Sequence, residues 1–396
     1  MDDAEESGVR QSEDAVLHAG VMPRLPRRIT SDLTAAVAGL EGKLTERRRD
    51  LKVQFGAFRG VHVVVYRGYV ADDVAKVRVR VMETPELPGD SRIPYWEVAQ
   101  SNVRRHAALS IVGADVELRI GGHRATETTD SHGFATFALP VPKLRVGWHP
   151  AAAVTAGLDG EPAVGTGSVV KPALSAPFSV ISDIDDTILH TGLTEGLAMV
   201  ARTLLRDVEE RRAIPGMSAL YRGLARGIPG RGGKARPKPT FFYVSTGSWS
   251  FYPMLEQFIE LRAFPAGPMF LTDWGPTEKY LRRSGAEHKR AAVRRLFEAY
   301  PKMRFVLVGD SGQRDPMIYE EVAREFPGRV LAAIIRQVGT EDDDRNSALQ
   351  DHTERLRGDG IAMYLVADAA QAAELAAGLG LCDEDTVTQV RADLTG

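Results

Sequence analysis

Residues 179–188 run Ser-Val-Ile-Ser-Asp-Ile-Asp-Asp-Thr-Ile, so an apolar stretch ends abruptly in three carboxylates within four residues. Val180 and Ile181 read as the end of a buried strand, which puts Asp183, Asp185 and Asp186 at its carboxyl end. In open α/β sheets that end is where ligands bind. Negative charge placed beside a core is costly unless a cation or a shared proton compensates it. The stretch therefore predicts a parallel α/β sheet with an active site at this strand end, and its partners are to be sought downstream.

The chain from residue 178 onward supports that sheet. Strands are expected at 178–182, 240–245, 304–308, 329–335 and 361–366. Helices are expected at 195–212, 216–226, 252–261, 286–300, 316–325 and 368–377, the last capped by Asp368. Such alternation is the signature of a parallel-sheet domain. Residues 51–170 read differently, with strand-like segments at 61–66, 77–81 and 115–120 and an Asp-x-x-Gly turn within 126–137. Short strands with turn signals predict an antiparallel β-sandwich. Leu33, Val37, Leu40 and Leu44 recur at helical spacing, so residues 31–50 are expected to form an amphipathic helix, and the charged, Pro/Arg-rich residues 1–30 a disordered tail. The expected fold class is α/β: a β-sandwich domain over 51–170, then a Rossmann-like domain over 178–396.

Composition narrows the function. A net charge of −3 gives no global field for nucleic acid, and 43% apolar content in 396 residues is ample for more than one core. The single cysteine, Cys382, excludes a disulfide framework or a cysteine-built zinc site and reads as a small buried side chain. The acidic N-terminus lacks a secretion-signal pattern, and no apolar run approaches the roughly 20 residues needed to span a bilayer. A cytoplasmic location is expected, with contact at the inner membrane face left open.

Four signals in the C-terminal region carry chemistry: Asp183-Ile184-Asp185-Asp186-Thr187; the strand ending at Ser245; Lys289 on an amphipathic helix; and a strand ending in Gly309-Asp310 with Asp315 five residues on. Each has a role in phosphoryl transfer. A carboxylate can take a phosphoryl group covalently, and a second carboxyl two residues later can serve as general acid and base. Hydroxyl and ammonium donors hold the phosphoryl oxygens as charge spreads over them. An oxygen-ligated Mg²⁺ brings an anionic nucleophile up to an anionic substrate.

This ordered set resembles the haloacid dehalogenase superfamily of phosphatases. The neighbouring residues, Tyr243-Val244-Ser245, Ser248-Trp249, Tyr252-Pro253, His288-Lys289 and Gly309-Asp310-Ser311-Gly312 with Asp315-Pro316, resemble more narrowly the actin-patch phosphatidate phosphatase family. The resemblance implies Asp183 as nucleophile and Mg²⁺ ligand, and Asp185 as general acid/base that also ligates the ion through its carbonyl. It implies Ser245, Thr246 and Lys289 as phosphoryl-binding residues with Thr187 beside them, and Asp310 and Asp315 as further metal residues. The implied reaction converts phosphatidate to diacylglycerol and phosphate. A soluble phosphate ester, another phospholipid, or a non-catalytic phosphatidate-binding module are the alternative readings. Ser248 departs from the family pattern, where proline is expected before the tryptophan.

Several neighbours have simpler readings. Asp186 is expected to support the loop without ligating, and His190 and His288 to be positional. Trp249 and Tyr252 read as pocket wall or core. The glycine-rich basic loop at 226–238 reads either as a flexible insertion or as a patch for anionic headgroups at a membrane surface.

Overall fold

The computed structural model describes residues 60–83, 110–157, 160–189, 213–228, 236–272, 278–339 and 344–395. The tail expected at 1–30, the helices expected at 31–50 and 195–212, His190 and most of the basic loop 226–238 lie outside the described residues. The described residues belong to one compact unit containing two sheets.

The first sheet holds eight strands: β1 (Val61–Val65), β2 (Gly68–Ala71), β3 (Val74–Glu83), β4 (Asp115–Ile120), β5 (His123–Thr128), β6 (Phe134–Pro140), β7 (Gly147–Ala156) and β8 (Pro162–Lys171). Their order is β1-β3-β2-β8-β7-β4-β5, with β6 on β3. Alternating burial along β3 and β4 follows from the two-residue period of a strand and sends Val77, Val79, Val81, Val116, Leu118 and Ile120 into one core. The strands are recorded as one continuous sheet, antiparallel except where β2 meets β8 in parallel. That long-range parallel contact joins what a sequence reading divides into the two layers of a sandwich.

The second sheet is wholly parallel, in the order β11-β10-β9-β12-β13-β14. Its strands are β9 (Ser179–Asp183), β10 (Phe241–Ser248), β11 (Met269–Thr272), β12 (Phe305–Asp310), β13 (Val330–Arg336) and β14 (Met363–Val366). Seven helices accompany it among the described residues: α1 (Met217–Arg226), α2 (Tyr252–Leu261), α3 (Glu278–Ala299), α4 (Asp315–Glu325), α5 (Asp344–Gly358), α6 (Ala369–Gly378) and α7 (Glu384–Thr395). Asp368 caps α6 as expected, accepting the Gln371 N–H at 2.9 Å, and Cys382 is buried. β11, α5 and α7 were not expected, and α3 begins eight residues earlier than its apolar spacing suggests.

The segment between β1 and β3 docks the sheets together. Tyr66 meets Trp249 and Tyr252 at ring-centroid distances of 4.4 and 4.7 Å, and Tyr69 packs on Phe242 and Phe270. The Arg67 amide donates to the Tyr252 hydroxyl at 3.0 Å, while its buried guanidinium pairs with Glu256 at 3.1 Å and Glu260 at 2.8 Å. Tyr300 donates to the Val70 carbonyl at 2.9 Å. Trp249 and Tyr252 are thus core residues that join the sheets.

Candidate active site

Strand register assembles the site. In β9–β10, Asp183 pairs with Val244, and in β9–β12, Ser182 pairs with Val308. Ser245 therefore follows immediately beside the end of β9 on one side, and Gly309-Asp310 follow on the other. These are the central strands of the sheet, so Asp183, Ser245 and Asp310 are all buried.

The side chains converge. Thr187 donates to Asp183 Oδ2 at 3.1 Å, and the Lys289 ammonium bridges Asp183 Oδ1 at 2.7 Å and Asp315 Oδ1 at 2.5 Å. Ser245 donates to Asp185 Oδ2 at 2.7 Å and accepts the Gly247 amide at 2.9 Å. The Asp310 amide donates to Asp315 Oδ2 at 3.2 Å. Thr246 is half-buried, and its carbonyl accepts the Thr272 hydroxyl at 3.2 Å. Of the expected residues, Asp183, Thr187, Lys289, Asp310 and Asp315 are thus linked in one network and Asp185 and Ser245 form a second bonded pair, while Thr246 adjoins Ser245 through the chain. Ser248, the departure from the expected pattern, accepts the Ser250 amide at 3.3 Å and caps the short turn Trp249–Phe251.

Four buried carboxylates face one ammonium here, and the electrostatics show it. Burial pushes the Asp183 carboxyl well above its ordinary range, and Asp315, Asp310 and Asp185 add to the rise against the pull of Lys289. Burial also raises Asp185, against the Ser245 hydrogen bond. Asp310 is raised to about 7 by burial and by Asp315. Burial alone would lower Lys289, but Asp183 and Asp315 outweigh it and hold the ammonium charged.

The acid cluster has the chemistry of a cation site. Asp183, Asp310 and Asp315 each offer an oxygen, and the three oxygens lie within 4.8 Å of one another. Asp310 Oδ1 accepts the amides of Gly312 at 2.6 Å and Gln313 at 2.9 Å, whereas its buried Oδ2 has no hydrogen-bond partner. A buried orphan oxygen within an all-oxygen set fits a hard divalent ion. The Asp185 carbonyl accepts the Gln313 side-chain amide at 3.3 Å.

Gly309 admits this arrangement. A Cβ there would lie 2.4 Å from Asp315 Oδ2 and 2.8 Å from Asp315 Cβ. Gly309→Ala is therefore expected to displace Asp315 and destabilise the protein by about 1–3 kcal/mol, the usual cost of overpacking. Urea unfolding measures this; an unchanged midpoint would mean that Asp315 can withdraw freely.

Other residues of the site escape a sequence reading. Behind Asp183, Ser182 donates to the Asp183 carbonyl at 2.5 Å and shares a 2.7 Å hydrogen bond with the buried Tyr221 hydroxyl. Thr272, on the unexpected β11, bonds the Thr246 and Gly247 carbonyls. Gln313 and Arg336 bond the consecutive carbonyls of Asp185 and Asp186. Thr272, Gln313 and Arg336 act on main-chain carbonyls distant in sequence, and Ser182 on a distant side chain, which no local pattern announces.

Residues 178–337, which contain every site residue named above, match the family model described as phosphatidate phosphatase APP1, catalytic domain. Phosphatidate phosphatase APP1 of Saccharomyces cerevisiae is 34% identical over 165 residues, covering 41% of this chain and 26% of that protein. An uncharacterized protein of Schizosaccharomyces pombe is 29% identical over 162 residues, covering 41% of this chain and 25% of its own length. The chain thus spans about a quarter of the length of these curated relatives. Among solved structures, a carbohydrate acetylesterase from Xanthomonas citri aligns with 74% of this chain and 72% of its own at 11% identity and a TM-score of 0.24, a likeness too low to bear on the fold.

Proposed function

We propose that this chain is a Mg²⁺-dependent phosphatidate phosphatase of the haloacid dehalogenase type, working through an aspartyl-phosphate on Asp183. The observation that carries the reading is the joint geometry of Asp183 and Asp185. One carboxylate is buried against Lys289 and Thr187, and the other, two residues on, is held by Ser245. Both lie within the span matched to a phosphatidate phosphatase catalytic domain.

In the first step an Asp183 carboxylate oxygen attacks phosphorus. The bond from phosphorus to the ester oxygen breaks, and Asp185 gives that leaving oxygen its proton. In the second step the Asp185 carboxylate takes a proton from water, whose oxygen attacks phosphorus. The acyl-phosphate bond breaks, phosphate departs and both carboxyls return to their starting states. The raised affinity of buried Asp185 for protons suits the acid half of this cycle. Ser245, Thr246 and Lys289 would hold the phosphoryl oxygens, with Thr187 keeping Asp183 in line. Asp183, Asp310 and Asp315 would hold Mg²⁺, which neutralises charge between the carboxylates and the phosphoryl group.

No described helix is long and apolar enough to cross a membrane, so a lipid substrate would be met from the bilayer surface. Phosphate release from phosphatidate in mixed micelles, compared with a panel of soluble phosphomonoesters, tests the substrate. Faster Mg²⁺-dependent release from phosphatidate, lost in EDTA, is expected. Preference for a soluble ester would refute the lipid assignment while keeping the chemistry.

A further inference from the structure

We infer that Arg336 is a positioning residue that clamps the nucleophile turn to the Asp310 turn; this deepens the proposed reading and rests on it for the roles of Asp183 and Asp185. Arg336 ends β13, level in register with Asp310. Its two halves hold two different loops. The main-chain carbonyl accepts the Ser311 amide at 2.9 Å, which fixes the chain just beyond Asp310. The guanidinium reaches the other way: Nε donates to the Asp186 carbonyl at 2.9 Å, and Nη2 donates to the same oxygen. Nη1 donates to the Gln337 carbonyl at 2.9 Å.

The Asp186 carbonyl needs such a partner. The turn from Asp183 to Leu189 closes on the Ile184 carbonyl, which accepts the amides of Thr187, Ile188 and Leu189, while the Asp186 amide donates to the Leu189 carbonyl. Asp186 sits at φ 52°, a left-handed conformation that a residue with a side chain adopts only at a cost. The left-handed step lets the chain send the Asp185 carboxylate to Ser245 and the Thr187 hydroxyl back to Asp183. It leaves the buried Asp186 carbonyl to be satisfied from outside the turn, and a buried carbonyl without a donor is costly. Gln313 takes the preceding carbonyl, so one donor just after β12 and one at the end of β13 hold two consecutive peptide units. Among the described residues the Arg336 guanidinium forms no ion pair, so its charge-assisted bonds go to main-chain carbonyls.

Arg336→Met and Arg336→Lys in the full chain test this, read by site-resolved amide exchange and by steady-state kinetics. In Arg336→Met, exchange at Asp186, Ile188 and Leu189 is expected to quicken by about tenfold or more, while the interiors of β9 and β13 keep their protection. Arg336→Lys, which retains one cationic donor, should recover part of that protection. The kcat of Arg336→Met is expected to fall by roughly 10²-fold with KM nearly unchanged, as for a displaced reacting group. Unchanged exchange in the turn overturns the clamp, as does exchange raised equally through both strands. A raised KM with kcat retained would make Arg336 a substrate ligand and overturn it too. If the wild-type protein hydrolyses no phosphate ester, the proposed function fails, and the exchange pattern still decides the clamp.

Discussion

Asp183→Asn is expected to lower phosphate release by on the order of 10⁴-fold or more, as loss of a covalent nucleophile does elsewhere. The substitution keeps the side chain's shape but removes the anion that would attack phosphorus. The fold should survive it. Thr187 can still donate to the remaining carbonyl oxygen, and Lys289 keeps Asp315 as its partner at 2.5 Å. One buried charge fewer also removes the repulsion that Asp315, Asp310 and Asp185 exert on Asp183. Thermal unfolding and binding to phosphatidate-containing vesicles should therefore stay near wild type while turnover disappears. Release within tenfold of wild type would remove Asp183 from the covalent role.

Lys289→Met is expected to cost about 3–5 kcal/mol of stability at neutral pH, the usual result of removing one partner from a buried ion pair. Its ammonium is the common partner of Asp183 and Asp315, and all three side chains are buried. Methionine fills similar space, so the loss is one of charge more than of packing. The pH dependence has a definite sign. Carboxyls whose folded proton affinity is raised, as Asp183 and Asp310 are, stabilise the fold when protonated and lose that contribution as pH rises through their folded values. Removing the ammonium raises those affinities further, so the variant's deficit should be largest near pH 7 and shrink toward pH 4. Urea unfolding across that range measures it. A deficit independent of pH would mean that Lys289 acts through packing alone.

What could be read from the chain and what could not divide along physical lines. Asp183, Ser245 and Asp310 were legible because each ends an apolar run, and a parallel sheet brings such ends together whatever its exact register. Lys289 was legible from its place on an amphipathic helix, though its double pairing was not. β11 escaped because four residues after a Pro- and Gly-containing stretch carry too little pattern, and α5 because Asp344–Gly358 is mostly polar, without a continuous apolar stripe. The joining of the sheets through Tyr66, Arg67 and Tyr69 was invisible because Tyr66 reads simply as strand and Arg67 and Tyr69 follow it without a pattern of their own. Arg336 was the least legible of all: an ordinary arginine at a strand end, whose partner carbonyl lies 150 residues away.

The most direct test of the account is to trap the phosphoryl group. Asp185→Asn keeps a side-chain oxygen for Ser245 but removes general acid and base help, which should slow turnover by about 10²–10⁴-fold. Incubated with phosphatidate and Mg²⁺ and quenched in acid, the variant should carry one phosphoryl group on the peptide containing Asp183, as read by mass spectrometry. The same peptide from Asp183→Asn should carry none. Phosphate release by wild-type protein with no adduct on Asp183 at any quench time, or an adduct on another residue, would contradict the account.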